Sequence, residues 1–138
     1  MKRVLIVDDI KGWRDYHSAV VAELFGGDCE IVMAESAKEG YDKVLENNNT
    51  PFDIIITDLQ METDFEPKYA GEWLVEQIKT LKNYYNTKII IISATYNINK
   101  AIQDNQGRKE YTAHTYSTIQ KIKNNKPKKE KSKIYIIY

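Results

Sequence analysis

Three aspartates stand directly after hydrophobic runs of the chain, where they could act together on a charged ligand. Asp8 and Asp9 follow the run Val4 to Val7, and Asp58 follows the run Ile54 to Thr57. If the two runs are neighbouring parallel strands, the three carboxylates lie together at the carboxyl edge of the sheet, where open α/β sheets bind ligands. Carboxylates that close repel one another, and a divalent cation would relieve the repulsion. Such oxygen ligands favour Mg²⁺, Mn²⁺ or Ca²⁺ over zinc.

Each aspartate also has a simpler interpretation. An aspartate after a strand is often only the N-cap of the next helix, and for any one of the three alone that interpretation is favoured. The combination is more specific, because Ser93 and Ala94 follow a third run of the same kind. A small hydroxyl side chain at that edge could donate a hydrogen bond to an oxyanion at the metal site.

The remaining patterns predict the elements that would hold these residues in place. Four short runs rich in β-branched residues predict strands, and consecutive isoleucines in two of them are typical of a parallel sheet covered on both faces. Amphipathic stretches between the runs predict helices, one of them opened by a capping box from Ser36 to Glu39. The predicted strands are Val4–Val7, Glu30–Met33, Asp53–Thr57 and Lys88–Ile92, and the predicted helices include Lys11–Phe25 and Ala70–Leu81. This alternation predicts an α/β fold with a doubly wound parallel sheet.

The last third of the chain follows this pattern less clearly. Asn99 to Gln106 and Ser117 to Lys123 could be helices, and Asn124 to Lys133 is polar and rich in lysine, as in a loop or a disordered tail. Ile134 to Tyr138 is a strand-like run. We therefore predict a folded domain over residues 1–123 and a basic tail over residues 124–138. The tail could contain a terminal strand.

Composition favours one globular domain. The chain has 138 residues, of which 42% are hydrophobic and 29% charged, close to the globular average. The single cysteine, Cys29, excludes an internal disulfide and suits a reducing cytoplasm. The N-terminal apolar run is too short for a signal peptide or a membrane span. Residues 1–99 hold 10 basic and 17 acidic residues and residues 100–138 hold 10 and 3, yet no base-reading motif accompanies the lysines, so we expect no nucleic-acid binding.

Taken together, these motifs resemble a bacterial response-regulator receiver domain over residues 2 to 95. Val4 to Asp9 resembles the family's opening strand and acidic pair. Ile54 to Met61 resembles the phosphoacceptor strand with its D-L-x-M signature, and Ile90 to Ala94 resembles the strand that carries the switch hydroxyl. The resemblance implies a flavodoxin-like fold with strand order 2-1-3-4-5. Because the last third of the chain does not follow the family pattern, the fifth strand could be irregular or displaced.

The resemblance also implies a phosphorylation site that works with Mg²⁺ or Mn²⁺. Asp58 would accept a phosphoryl group and, with Asp9 and the backbone carbonyl of Gln60, ligate the metal directly. Asp8 would contact the metal through a water molecule. Carboxylate and carbonyl oxygens suit such a cation, and phosphoryl transfer depends mainly on positioning and on neutralised charge.

Ser93 would then donate a hydrogen bond to the phosphoryl group, and Ala94 would leave space for that contact. The implied partners are a histidine kinase or phosphotransfer protein and a downstream protein target of unknown identity. We expect a cytoplasmic monomer or weak dimer without a membrane contact. The implied protein is not an enzyme, beyond Mg²⁺-dependent self-phosphorylation and self-dephosphorylation.

Two features depart from the family pattern. The helix-opening glycine, Gly71, stands thirteen residues after Asp58, farther than is usual in the family. The family also requires a lysine at the end of the fifth strand, and none stands at the expected distance after Ser93. Lys109 comes too early and Lys126 too late, so the lysine is left unassigned.

Three functions therefore remain to be compared. The leading hypothesis is a stand-alone phosphoacceptor receiver that signals by protein contact. The alternative is a degenerate receiver that binds a partner independently of phosphorylation, which the unassigned lysine motivates. A metal-dependent phosphohydrolase would carry a D-x-D-x-T motif at the first strand, and Asp8-Asp9-Ile10 does not match it. The sequence contains no Walker motif, which would have indicated a nucleotide-binding site.

Overall fold

The computed structural model describes residues 1–61, 69–93, 116–124 and 134–137. Within these residues a single sheet of five strands has the order β2-β1-β3-β4-β5, and every neighbouring pair is parallel. The strands are β1 (Lys2–Val7), β2 (Cys29–Ala34), β3 (Ile54–Asp58), β4 (Lys88–Ile92) and β5 (Ile134–Ile137). The predicted α/β class, parallel sheet and strand order 2-1-3-4-5 are confirmed.

Helices cover both faces of this sheet. They are α1 (Lys11–Phe25), α2 (Ala37–Glu46), α3 (Ala70–Lys79), a 3₁₀ turn (Lys82–Tyr84) and α4, residues 116–124. The predicted bounds of α1 are confirmed, whereas α3 ends two residues earlier than predicted. The Ser36 Oγ accepts the Glu39 amide at 3.1 Å, as in a capping box, but the Glu39 carboxylate accepts the amide of Glu35 at 3.3 Å. Of the described helices, none is long and apolar enough to cross a membrane.

The isoleucines of β3 show why the strands are apolar on successive residues. Ile54 and Ile56 lie in a core cluster with α1 and α4, while Ile55 lies in a second cluster with α2 and α3. All three side chains are at most 1% exposed. Each buried side chain of this size stabilises the fold by about 2–3 kcal/mol, so burial on both faces fixes the strand in the centre of the sheet.

The fifth strand comes from the end of the described chain. Residues 134–137 pair with β4 in parallel register, from Ile89 opposite Ile134 to Ile92 opposite Ile137. A displaced fifth strand, which the sequence left open, is therefore present. The division of the chain at residue 123 stays a prediction, although the sheet includes a strand from the predicted tail.

Helix α4 lies on the same face of the sheet as α1. Ile119 of α4 is fully buried in the cluster that holds Val20 of α1, and the Lys123 Nζ donates to the Leu24 carbonyl at 2.7 Å. The predicted helix at Ser117–Lys123 is confirmed. The other helix considered, at residues 99–106, falls outside the described part of the chain.

Candidate functional site

The three aspartates singled out by the sequence meet at one edge of the sheet. Strands β1 and β3 are adjacent and in register up to Val7 opposite Thr57, so the residues that follow reach the same edge. One carboxylate oxygen from each of Asp8, Asp9 and Asp58 lies within 4.8 Å of the others. Asp8 is buried, whereas Asp9 and Asp58 are half-buried, so part of the cluster is accessible to solvent.

The polypeptide holds Asp8 on both its backbone and its side chain. Its amide donates to the Ala34 carbonyl of β2 at 3.1 Å, and its carboxylate accepts the Ile10 amide at 2.9 Å. The Arg14 guanidinium donates to the Asp8 carbonyl at 2.8 Å and lies 3.4 Å from the Glu35 carboxylate. The sequence analysis did not single out Arg14, although an arginine one helical turn into α1 could have been noticed as a cation near the acidic pair.

The simpler interpretation of these aspartates as N-caps is wrong. The N-cap of α1 is Ile10, whose side chain makes no capping hydrogen bond, so neither Asp8 nor Asp9 is the N-cap residue. Helix α3 begins at Ala70 with Tyr69 as its N-cap, again without a side-chain cap, so Asp58 does not cap it. The carboxylates of Asp8 and Asp58 are thus available at the sheet edge for another purpose.

Burial and mutual repulsion disfavour the ionised forms of the carboxylates in this cluster. Burial, with the charge of Asp9 adding to it, raises the pKa of Asp8 from 3.8 to about 7 against the opposing hydrogen bond from Ile10. Burial and the charges of Asp8 and Asp9 raise the pKa of Asp58 to about 7 as well, against hydrogen bonds from the Leu59 and Gln60 amides. A cation placed among these oxygens would offset that repulsion, and their chemistry fits a hard divalent ion such as Mg²⁺.

Gly71 brings α3 against the end of β3. A Cβ at this position would overlap the backbone carbonyl of Asp58 and lie 2.8 Å from the Leu59 Cα. The Gly71 amide donates to the Leu59 carbonyl at 3.1 Å. Only glycine allows this approach, so Gly71 reaches the end of β3 in spite of the longer connection, whose residues 62–68 are not described.

Ser93 has a partner that the sequence did not indicate. Its amide and its Oγ both donate to the Ile137 carbonyl of β5, at 2.8 Å and 3.2 Å. Ala94 falls outside the described residues. Gln60 is exposed at the end of β3, and its amide donates to Asp58. The metal-ligating role given to its carbonyl stays a prediction.

The strand-five lysine stays unassigned. In the parts of the chain that the structure describes, no ion pair involves Asp58. The residue that follows β5 is Tyr138, and both lysines considered, Lys109 and Lys126, lie among the undescribed residues. Among the described residues, Arg14 is a cation that acts on the cluster, since its charge favours the ionised form of Asp8.

Comparison with known proteins agrees with this geometry. The family model described as the response regulator receiver domain matches residues 4–112. None of the curated proteins compared with this chain matches it significantly.

Among solved structures, the Vibrio cholerae chemotaxis protein CheY4 is 20% identical, with a TM-score of 0.58, over 88% of this chain and 98% of that one. A signal receiver domain of a DNA-binding response regulator from Colwellia psychrerythraea 34H is 17% identical, with a TM-score of 0.58, over 90% and 100%. A receiver domain protein from Clostridium thermocellum is 20% identical, with a TM-score of 0.54, over 88% and 99%. At these identities the likeness concerns the fold.

Proposed function

Since this chain belongs to the response regulator receiver domain family, a family of two-component signalling, we propose that Asp58 accepts a phosphoryl group and that the chain signals by protein contact. The observation that carries the proposal is the meeting of the Asp8, Asp9 and Asp58 carboxylates at one sheet edge. Such a cluster is costly for folding, and a ligand that needs it explains why it persists.

In the proposed reaction the ionised Asp58 carboxylate attacks the phosphorus of a phosphohistidine on a histidine kinase or phosphotransfer protein. An oxygen–phosphorus bond forms, the phosphorus–nitrogen bond breaks, and the released imidazole takes up a proton. The Leu59 and Gln60 amides, which bond the Asp58 carboxylate, hold it in place for the attack. Hydrolysis of the acyl phosphate by water breaks its oxygen–phosphorus bond, releases inorganic phosphate and returns the Asp58 carboxylate, and we expect no other catalytic turnover.

We further propose that Asp8, Asp9, Asp58 and the Gln60 carbonyl hold Mg²⁺ or Mn²⁺. When bound, such an ion neutralises charge on the transferred phosphoryl oxygens. The chain contributes the rigid placement of the donors, because Asp8 is fixed by the Ile10 amide and by Arg14. Ser93 provides a hydroxyl donor for a phosphoryl oxygen, with Ala94 beside it.

The lone cysteine and the family both support a cytoplasmic setting. The partners we propose are the phosphodonor protein and one downstream protein, met by a monomer or weak dimer.

A phosphorylation assay tests the central claim. The full chain is incubated with acetyl phosphate and Mg²⁺, and its intact mass is measured. We expect one added phosphoryl group on the wild type and on the control Asp42→Asn, whose side chain is exposed on α2, and none on Asp58→Asn. An unmodified wild type, under conditions that label a known receiver, would rule the proposal out.

One observation favours the alternative of a phosphate-independent binding module. No described lysine or arginine pairs with Asp58, although a receiver uses such a cation. The two functions differ in their response to a phosphoryl mimic. If beryllofluoride changes the tryptophan fluorescence spectrum of the wild type but not that of Asp58→Ala, the phosphoacceptor function is supported. An identical response from both would favour the binding module.

A further inference from the structure

Asp8 lies at the junction between the first strand and the first helix. Pairing of β1 with β3 ends at Val7, and α1 begins at Lys11, so Asp8 stands where the regular hydrogen bonding of the strand has ended and that of the helix has not begun. The Arg14 guanidinium donates to the Asp8 carbonyl at this point, at 2.8 Å. The placement of the Asp8 backbone therefore depends on how firmly Arg14 is held.

Glu35 holds Arg14 from the surface. Its carboxylate lies 3.4 Å from a second nitrogen of the Arg14 guanidinium. The residue before it, Ala34, accepts the Asp8 amide at 3.1 Å. These contacts close a ring that runs from Asp8 through Arg14 and Glu35 back to Asp8, across the ends of β1 and β2.

The two side chains of this ion pair differ in burial. Arg14 is 10% exposed and Glu35 is 72% exposed. An ion pair between two exposed side chains contributes little, but a buried charge that loses its partner is costly because water does not replace it. A change at the exposed Glu35 therefore affects a buried group that bonds the acidic cluster.

The charge of Arg14 and its hydrogen bond have opposite effects on a metal. Once the carboxylates are ionised, a nearby guanidinium repels a divalent cation, so its charge alone would weaken metal binding. The hydrogen bond to the Asp8 carbonyl fixes the backbone from which Asp8 and Asp9 extend. Groups that orient metal ligands commonly change metal affinity by about 10- to 100-fold, which exceeds the effect expected of one screened charge.

We propose that Arg14 and Glu35 form a positioning pair, in which Glu35 holds the Arg14 guanidinium on the Asp8 carbonyl and thereby raises the affinity of the acidic cluster for Mg²⁺. This inference rests on the proposed function, which places Mg²⁺ among these carboxylates. Both residues act through Asp8 and not as metal ligands.

Mg²⁺ titration of the full chain, followed by tryptophan fluorescence and by calorimetry, measures the dissociation constant. At a pH of about 8.5, above the pKa of about 7 for Asp8 and for Asp58, competition with protons is small. Arg14→Gln should bind Mg²⁺ about tenfold more weakly than the wild type. The control Lys11→Gln removes a charge from the same helix at a side chain that is 79% exposed, and it should change the dissociation constant less than about twofold.

Two variants of Glu35 separate position from charge. Glu35→Asp keeps the charge but draws the carboxylate back from Arg14, so we expect about threefold weaker binding, where an effect of charge alone would leave the affinity unchanged. Because Glu35 is exposed, this variant tests the inference even if Arg14→Gln does not fold. Glu35→Gln should weaken binding about threefold in the wild type but less than about 1.5-fold in Arg14→Gln, since residues that act through one contact are not additive.

Intact mass after incubation with acetyl phosphate, measured on the same samples, separates the possible failures. If Arg14→Gln or Glu35→Asp binds Mg²⁺ at least as tightly as the wild type, the inference is overturned, and so it is if the losses in the double variant are additive. The proposed function then stands as long as the wild type takes up a phosphoryl group. A wild type that takes up none, although the variants lose affinity as expected, overturns the phosphoacceptor function alone. A wild type that binds no Mg²⁺ overturns the proposed metal site and the inference together.

Discussion

Replacing Asp58 by asparagine should stabilise the metal-free protein, and by an amount that grows with pH. The substitution keeps the shape of the side chain and removes one charge from a cluster in which burial and two neighbouring carboxylates raise the pKa of Asp58 to about 7. Between pH values of about 4 and 7, the folded chain keeps a proton on Asp58 that the unfolded chain has lost. Folding is therefore weakened as pH rises through this window.

The magnitude follows from the two pKa values. A change from 3.8 to about 7 corresponds to about 4 kcal/mol when complete. Because Asp58 is half-buried and water screens part of the repulsion, we expect Asp58→Asn to gain about 2 kcal/mol at neutral pH and close to nothing near pH 4.

Urea unfolding followed by tryptophan fluorescence, with a chelator present, provides the free energies of unfolding. Comparing the variant with the wild type at each pH cancels contributions from titrating groups that do not interact with Asp58, such as His17, and leaves the contribution of Asp58 together with its repulsion from Asp8 and Asp9. Asp42→Asn, whose side chain is exposed on α2, is the matched control for the loss of one carboxylate and should change the free energy of unfolding by less than about 0.5 kcal/mol. With Mg²⁺ added, the wild type should gain more stability than Asp58→Asn, because the cation binds the folded cluster. A difference between Asp58→Asn and wild type that is flat or falls from pH 4 to 7 would refute the repulsion argued for this site.

Three further substitutions test the positions around the site, each by urea unfolding. Gly71→Ala should lose about 1–3 kcal/mol, because the added Cβ meets the backbone at Asp58, whereas Gly27→Ala meets nothing within 4 Å and should change little; equal effects would contradict this. Burial lowers the pKa of His17 from 6.5 to about 4, so His17 alone contributes a loss of stability as pH decreases through that range, opposite in sign to the contribution of Asp58. The stability of His17→Gln relative to the wild type should therefore rise as pH decreases from about 6.5 to 4, and a constant difference would contradict this. Ile137→Ala should lose about 2–5 kcal/mol of stability and the exposed Ile136→Ala less than about 0.5, and similar losses would mean that β5 is not anchored at Ile137.

Residues 1–93 could be interpreted from sequence because their signals are local. The isoleucines of β3 are apolar on successive residues because both faces are buried, and that pattern is visible without a structure. Once β1 and β3 are recognised as neighbours, the meeting of Asp8 and Asp58 follows from the parallel register. The contact of Arg14 with the Asp8 carbonyl depends on the angle at which α1 leaves the sheet. That angle cannot be predicted from the pattern of residue types.

The fifth strand could not be settled in the same way. Ile134 to Ile137 is too short for its periodicity to separate a sheet strand from an apolar end of a tail. Its place in the sheet depends on two features of the folded chain. One is the row of backbone groups of β4 with which it pairs, and the other is the apolar surface near Ile92 and Ile119. Both belong to segments distant in sequence, so only the folded sheet shows that Ile137 meets Ser93.

The placement of Ser93 bears on the unassigned lysine of the family pattern. In the family pattern, a cation on the fifth strand links the phosphorylated aspartate to the rest of the sheet. Among the described residues, Asp58 is connected to β5 through β4. Asp58 lies opposite Ile92 on β4, and the next residue, Ser93, donates a hydrogen bond to the Ile137 carbonyl of β5. In a chain without a lysine at that position, charge neutralisation at Asp58 would be weaker, while the hydrogen-bonded path from Asp58 through β4 to β5 would remain.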